Sequence, residues 1–311
     1  MSVVAALVGE FTSSIKGKDT EETVDLFFYR PLGFLVAKIA HVLRMTPNQL
    51  SILGVVIGFM GASFYLPGRS NLQLALGSAL FVLAGVFDSA DGQLARIADL
   101  RSELGLILDG LCDNLVFIAV YVCATASLVH SWGGWIFLVA VLAGLCHSIQ
   151  SAVLDFYHRE YRCFGRGLSQ TLDYWNPSVA EARESVERAA TRREALFRRL
   201  RLVWIAQQQR MTTRTVEERL HFRALSTQAD DQGRLRFQDD YRELNRPLLK
   251  YWRLLGANAH TMLIIVCVSL RRFDLYLVLG DIVFLNAVML IMRRVQKRAD
   301  QKLLARWQRP V

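Results

Sequence analysis

The sequence predicts an all-α, polytopic membrane protein with six transmembrane helices, an N-terminal amphipathic interfacial helix and a helical cytoplasmic insert. Three observations lead there. Six separate segments each carry about 15 to 20 largely apolar residues, the length a helix needs to cross a bilayer. Composition is uneven: 52% of the 311 residues are hydrophobic, yet mean hydropathy is only +0.24, so very apolar and very charged parts are being averaged. The charge is concentrated in one long block after Tyr157 and in the tail RRVQKRADQK after Met292.

Residues 1–26 form an N-terminal cytoplasmic segment, a short apolar start followed by GKDTEET. No basic stretch precedes a long apolar core there, so a signal peptide is not expected. Residues 27–45, FFYRPLGFLVAKIAHVLRM, mix apolar positions with Arg30, Lys38, His41 and Arg44, a pattern suited to lying in the membrane interface. Residues 46–157 hold the first four spans: Leu50 to Leu66, Leu72 to Ala95, Leu104 to Val129 and Trp135 to Phe156. Residues 253–292 hold the last two, Ala257 to Leu270 and Leu275 to Met292, and residues 293–311 are a basic cytoplasmic tail. The turns PGRSN, HSWGG and RRFD are short, whereas the opposite ends of the spans carry most of the Lys and Arg. Positive charge stays inside, which puts both termini on the cytoplasmic face. Arg271 and Arg272 are the exception, two cations in an outer turn.

Residues 158–252 read as a soluble insert. Val179 to Arg210 is rich in Arg, Glu and Ala with opposite charges at i,i+4, a solvated-helix pattern; DDQG at 230–233 signals a turn, and Arg236 to Leu255 reads as a further helix. Its charges alternate in sign and form no basic stripe, which argues against nucleic acid and for a hairpin that supports a homodimer or covers an active-site mouth. The net charge of +9 then fits loops lying against anionic membrane lipid. Five scattered cysteines with no CxxC spacing read as small core residues.

The chemistry is concentrated in DSADGQLARIADLRSELGLILDGLCD, Asp88 to Asp113, at the junction of the second and third spans. Ionisable groups at such a depth are functional by default. Asp88 and Asp91 are three apart and Asp109 and Asp113 four apart, so each pair projects from one face of its helix. Four converging carboxylates repel unless a cation lies between them, and oxygen-only ligand sets take hard divalent ions, Mg²⁺ or Mn²⁺. Gly92 and Gly105 let a ligand or a second helix approach the backbone. Arg96 supplies a planar fork for phosphate oxygens, with the acidic cluster or a bound diphosphate as its partner.

Written as a pattern, Asp88, Asp91, Gly92, Ala95, Arg96, Gly105, Asp109 and Asp113 give DxxDGxxAR, eight residues, then GxxxDxxxD. This resembles the signature of the CDP-alcohol phosphatidyltransferase family (class I, integral membrane) at every position, and Thr46, Pro47 and Asn48 look like that family's entry to its first transmembrane helix. The resemblance runs from about Arg30 to Arg166 and more loosely over the last two helices, and leaves the insert outside. It implies a phosphatidyl donor such as CDP-diacylglycerol, an alcohol acceptor whose hydroxyl attacks the lipid-side phosphorus, and CMP as leaving group. It further implies two divalent ions on Asp88, Asp91 and Asp109, with Asp113 as general base and a further metal contact. Asp91, Gly92, Ala95, Arg96 and Gly105 would line the CDP pocket with Asn48 beside it. The membrane would be a bacterial inner membrane with the site facing the cytoplasm.

Arg159 and Arg162, where the fourth span ends, suit either a phosphate on the acceptor, as in inositol phosphate or glycerol phosphate, or lipid headgroups. His147, Gln150, Asp155, Asn258, His260, Asp281 and Asn286 read first as interhelical hydrogen-bonding groups, with Asp281 the most expensive to hide. Two other classes use membrane aspartates. An intramembrane Mg²⁺-dependent prenyltransferase generally has its acidic motifs far apart in the chain, and a cation transporter needs no DGxxAR beside them and often carries inverted repeats.

Overall fold

The computed structural model describes residues 3–15, 21–100, 103–167, 178–228 and 230–307, and every regular element among them is helical. In chain order these are α1 (Val3–Ser14), a π-helical turn (Asp25–Tyr29) running into α2 (Arg30–Val42), α3 (Pro47–Ser63), α4 (Asn71–Ile97), α5 (Glu103–Ala126), the single turn α6 (Val129–Trp132) and α7 (Ile136–Glu160). A second π-helical turn (Tyr161–Gly165) follows, then α8 (Val179–Glu187), α9 (Arg192–Met211), α10 (Val216–Ser226), α11 (Asp231–Trp252), α12 (Ala257–Ser269) and α13 (Phe273–Leu275). A π-helical stretch (Tyr276–Leu285) leads into α14 (Asn286–Trp307). Four helical stretches are long and apolar enough to cross a membrane, residues 71–97, 136–165, 231–269 and 273–307; residues 110–126 are apolar but shorter, and α3 has 17 residues. The chain is an integral membrane protein by this measure.

The chain divides into two compact units, residues 1–145 with 260–282, and residues 146–259 with 283–311. In the first, sequence chemistry sets the helix starts. Thr46 and Ser70 each form a capping box with the glutamine three residues on, Gln49 and Gln73, and Pro47 occupies the first turn of α3. Arg44, Asp99 and Arg271 take left-handed φ values of 56°, 51° and 57° at the ends of α2, α4 and α12. Helices α3 and α4 cross at paired glycines: a Cβ on Gly61 would lie 2.9 Å from the Gly77 carbonyl, and one on Gly77 would lie 2.8 Å from that of Gly61. Gly58 gives α5 the same close approach, since a Cβ there would stand 2.7 Å from Val116. Small residues are what bring helices together where the surroundings are as apolar as the side chains. Beside this contact Ala62, Tyr65, Phe81, Val120, Ile264 and Tyr276 are part of one continuous core.

Of the segment 27–45, residues 27–42 are helical and 43–45 are not, and α2 turns its small residues Gly33, Ala37 and Ala40 inward while Leu35, Ile39 and Val42 remain exposed. The two arginines in the RRFD turn have local partners: Arg271 donates to the Arg69 carbonyl and the Asn71 side chain, both at 2.9 Å, and Arg272 pairs with Asp274. The turn PGRSN therefore lies beside RRFD.

In the second unit the charged segment is not one solvated hairpin. Residues 188–191 break the helix expected over 179–210, α10 is an additional helix, and DDQG opens α11, with Asp230 capping the amides of Gln232 and Gly233. Arg214 is enclosed: it pairs with Glu160 at 2.9 Å and Asp300 at 2.7 Å, Arg219 pairs with the same Glu160, and Gln296 bridges Asn245 and Asp300. Burial opposes the Arg214 charge, yet Asp300, Tyr241 and Glu160 outweigh it and hold the guanidinium above its ordinary range. Partners 54 and 86 residues away are invisible to a reading of local charge patterns. Aromatic rings of Tyr161, Phe164, Phe222, Phe237 and Tyr241 pack in the core of this unit.

Candidate active site

The DxxDGxxAR run occupies the C-terminal half of α4, and Gly105, Asp109 and Asp113 follow on α5. Periodicity alone puts Asp88, Asp91 and Ala95 near one line of α4, and Ser89, Gln93 and Arg96 near the next. The first line meets α3. Asp91 is 3% exposed, and the Ser51 hydroxyl, one turn beyond Asn48, donates to its carboxylate. Ala90 and Leu94 pack with Ala37, Ala40 and Leu50 directly behind it, so α2 and α3 fix the helix that carries the acids.

The second line meets the N-terminal residues. Tyr29 packs on Gly85, where a Cβ would stand 2.9 Å from its ring. Burial, with the carboxylates of Asp25, Asp88 and Glu22, pushes the Tyr29 phenol up to about 12. Arg30, expected at the interface, is turned inward: it pairs with buried Glu21 at 2.9 Å and donates to Ser89 at 3.2 Å. Arg96 reaches the first helix and folds back over its own. Its Nε donates to the backbone carbonyl of Ser14, and both terminal nitrogens lie over Gly92, 3.5 Å from where a Cβ would be.

Of the expected site residues, Asp88, Gly92, Ala95 and Arg96 are half-buried, Asp91 is buried, and Asn48 is exposed at the start of α3. On α5 Gly105 is half-buried and Asp113 exposed, while the Asp109 side chain lies outside the described residues. Among those described, no three His, Cys, Asp or Glu side chains gather as a metal site. The donors that are seen suit a hard divalent cation, because they are carboxylate oxygens with one carboxylate held in place by a neutral hydroxyl, the kind of support metal-binding acids take.

In the second unit, Arg159 pairs with Asp155 at 2.6 Å and lies over the Trp204 ring, and Arg162 is buried. Four of the intramembrane polar residues make interhelical hydrogen bonds as anticipated: Tyr121 donates to Asp281 at 2.8 Å, His260 meets Tyr276 at 2.8 Å, and Gln150 donates to Asn286 at 3.1 Å, whereas Asp155 pairs with Arg159 on its own helix. Ser51, Tyr29, Ser14 and Gln93 were not singled out from the sequence. Ser51 had a signal, a polar residue on the face of Asn48 inside an apolar run; the others had none, since their partners are distant in the chain.

Residues 44–168 match the family model for CDP-alcohol phosphatidyltransferase. Over 121 residues the chain is 31% identical to a phosphatidylinositol phosphate synthase of Corynebacterium glutamicum, covering 39% of this chain and 53% of the relative. It is 28% identical over 106 residues to a CDP-diacylglycerol–serine O-phosphatidyltransferase of Mycobacterium bovis, 33% of this chain and 35% of that one. A bifunctional IPC transferase and DIPP synthase of Aquifex aeolicus is 30% identical over 108 residues, 34% of this chain and 23% of the relative. The matches thus span about half of the first relative's length and less of the others.

Proposed function

Since residues 44–168 form a CDP-alcohol phosphatidyltransferase domain, we propose that the protein transfers a phosphatidyl group from CDP-diacylglycerol, or a related CDP-linked lipid, to the hydroxyl of a small polar alcohol and releases CMP. The observation that carries this is the intact DxxDGxxAR run on α4, inside the matched region, with Asp91 buried and held by Ser51. Asp88, Asp91, Asp109 and Asp113 would hold two divalent ions, Mg²⁺ or Mn²⁺. When bound, such ions would supply the positive charge that neutralises the diphosphate and stabilises the departing oxygen. Arg96, Gly92, Ala95, Gly105 and Asn48 bind the CDP moiety, with the Arg96 fork on phosphate oxygen. Asp113 takes the acceptor's hydroxyl proton as the new phosphorus–oxygen bond forms; the bond from that phosphorus to the CMP oxygen breaks, and CMP leaves with its electron pair.

The acceptor class we favour is a phosphorylated polyol such as inositol phosphate or glycerol phosphate. Two guanidiniums support it, Arg159 at the end of α7 and Arg162 in the π-helical turn that follows, as does the likeness to the phosphatidylinositol phosphate synthase of Corynebacterium glutamicum. In this reading six helices cross a bacterial inner membrane, α3 and α5 among them, and α2 lies in the interface with Leu35, Ile39 and Val42 towards lipid. The aspartates and both termini face the cytoplasm, residues 158–252 form a cytoplasmic lobe, and the chain works as a homodimer. The test is incubation of purified protein with CDP-diacylglycerol, Mn²⁺ and a panel of alcohols, following CMP. Acceptor-dependent CMP release is expected; its absence with every acceptor removes the proposal, and a prenyltransferase or a cation transporter predicts that absence.

A further inference from the structure

Helix α1 lies outside the region that matches the family model, yet it touches the signature. The last turn of a helix leaves carbonyls without intrahelical partners, and they carry the negative end of the helix dipole. Arg96 takes the Ser14 carbonyl through its Nε edge. One turn earlier on α4, Gln93 donates to the Ser14 hydroxyl at 3.0 Å, and that hydroxyl in turn donates to the Phe11 carbonyl at 2.7 Å. Ser14 and Gln93 are both fully buried. Helix α1 is anchored independently: Glu10 accepts from Lys38 at 2.9 Å, and the rings of Phe11 and Phe34 meet edge-on at 5.3 Å. The two terminal nitrogens of Arg96 lie over Gly92, the motif position without a side chain.

We infer that α1 is part of the nucleotide site and that Ser14 is a positioning residue for Arg96, an inference that rests on Arg96 being a phosphate ligand. An arginine in a mobile rotamer loses side-chain entropy when it grips a diphosphate; one already held from behind loses less, so pre-organisation appears as affinity for the donor. The gain is specific to arginine, because a lysine has no second edge by which to be held.

The test is the equilibrium dissociation constant for CDP-diacylglycerol, with Mn²⁺, of the full-length protein in nanodiscs, which needs no knowledge of the acceptor. Deleting residues 2–15 should weaken binding about tenfold, as loss of a hydrogen bond to a charged group does. Ser14→Ala keeps the carbonyl but loses the Gln93 contact, and should weaken binding by about threefold; it carries the test if the deletion fails to insert. In an Arg96→Ala background neither change should weaken binding further, whereas a helix that merely supports the fold would weaken both backgrounds alike. Unchanged affinity in both variants, or equal losses with and without Arg96, overturns the inference. If Arg96→Ala itself leaves affinity unchanged, the assignment of Arg96 to the donor is what fails.

Discussion

At the residue scale, the acids of the signature differ in what holds them. Asp113 is exposed on α5, whereas Asp91 is enclosed and fixed by Ser51. Asp113→Asn and Asp109→Asn should each lower CMP release from CDP-diacylglycerol by at least about a hundredfold while the protein still inserts and folds, because an amide neither accepts the proton nor neutralises a cation. Full turnover in both variants would remove the assigned roles. Ser51→Ala should act more mildly, raising the Mn²⁺ concentration needed for half-maximal CMP release about tenfold, the usual cost of losing a group that orients a metal ligand. An unchanged metal requirement would make Ser51 a packing residue.

At the element scale, the site depends on how closely α3 and α4 approach. The Gly61 and Gly77 contact leaves no room for a methyl, since the atoms it would meet are backbone carbonyls that cannot rotate away. Gly77→Val should therefore separate the two helices and destabilise the folded protein by about 1–3 kcal/mol or more. A thermal unfolding scan in detergent should show this as a lower midpoint, and an unchanged midpoint would mean that the crossing is elsewhere. The helices were legible for local reasons. Capping boxes at Thr46 and Ser70, the proline of α3 and continuous apolar runs mark α3, α4, α5, α7 and α12 to within a few residues. The insert was less legible, because alternating charge at i,i+4 looks the same whether a helix faces water or a distant ion pair. Helix α10, which carries Arg219 into such a pair, went unread for that reason.

At the scale of the whole molecule, two compact units share the chain, and α7 passes from one to the other between Leu145 and Cys146. The second unit is held by the Arg214 network, which joins the end of α7 to α11 and α14 through Glu160, Asn245 and Asp300. Arg214→Met leaves both carboxylates buried without their common cation and should cost about 3–5 kcal/mol. Limited proteolysis should then cut within residues 178–228 far faster than in the unaltered protein, and equal rates would show that the network is dispensable.

The sequence by itself determined the helical, membrane-embedded class and the eight signature positions, because hydropathy and spacing are local properties that a helix expresses wherever it lies. Only the tertiary structure decided which neighbours those positions meet. Ser51 on Asp91, Tyr29 on Gly85 and the Ser14 carbonyl on Arg96 join residues 40, 56 and 82 apart in the chain. Such pairings follow from how α1, α2 and α3 pack around α4, and packing depends on the summed shape of many side chains, which no single stretch contains.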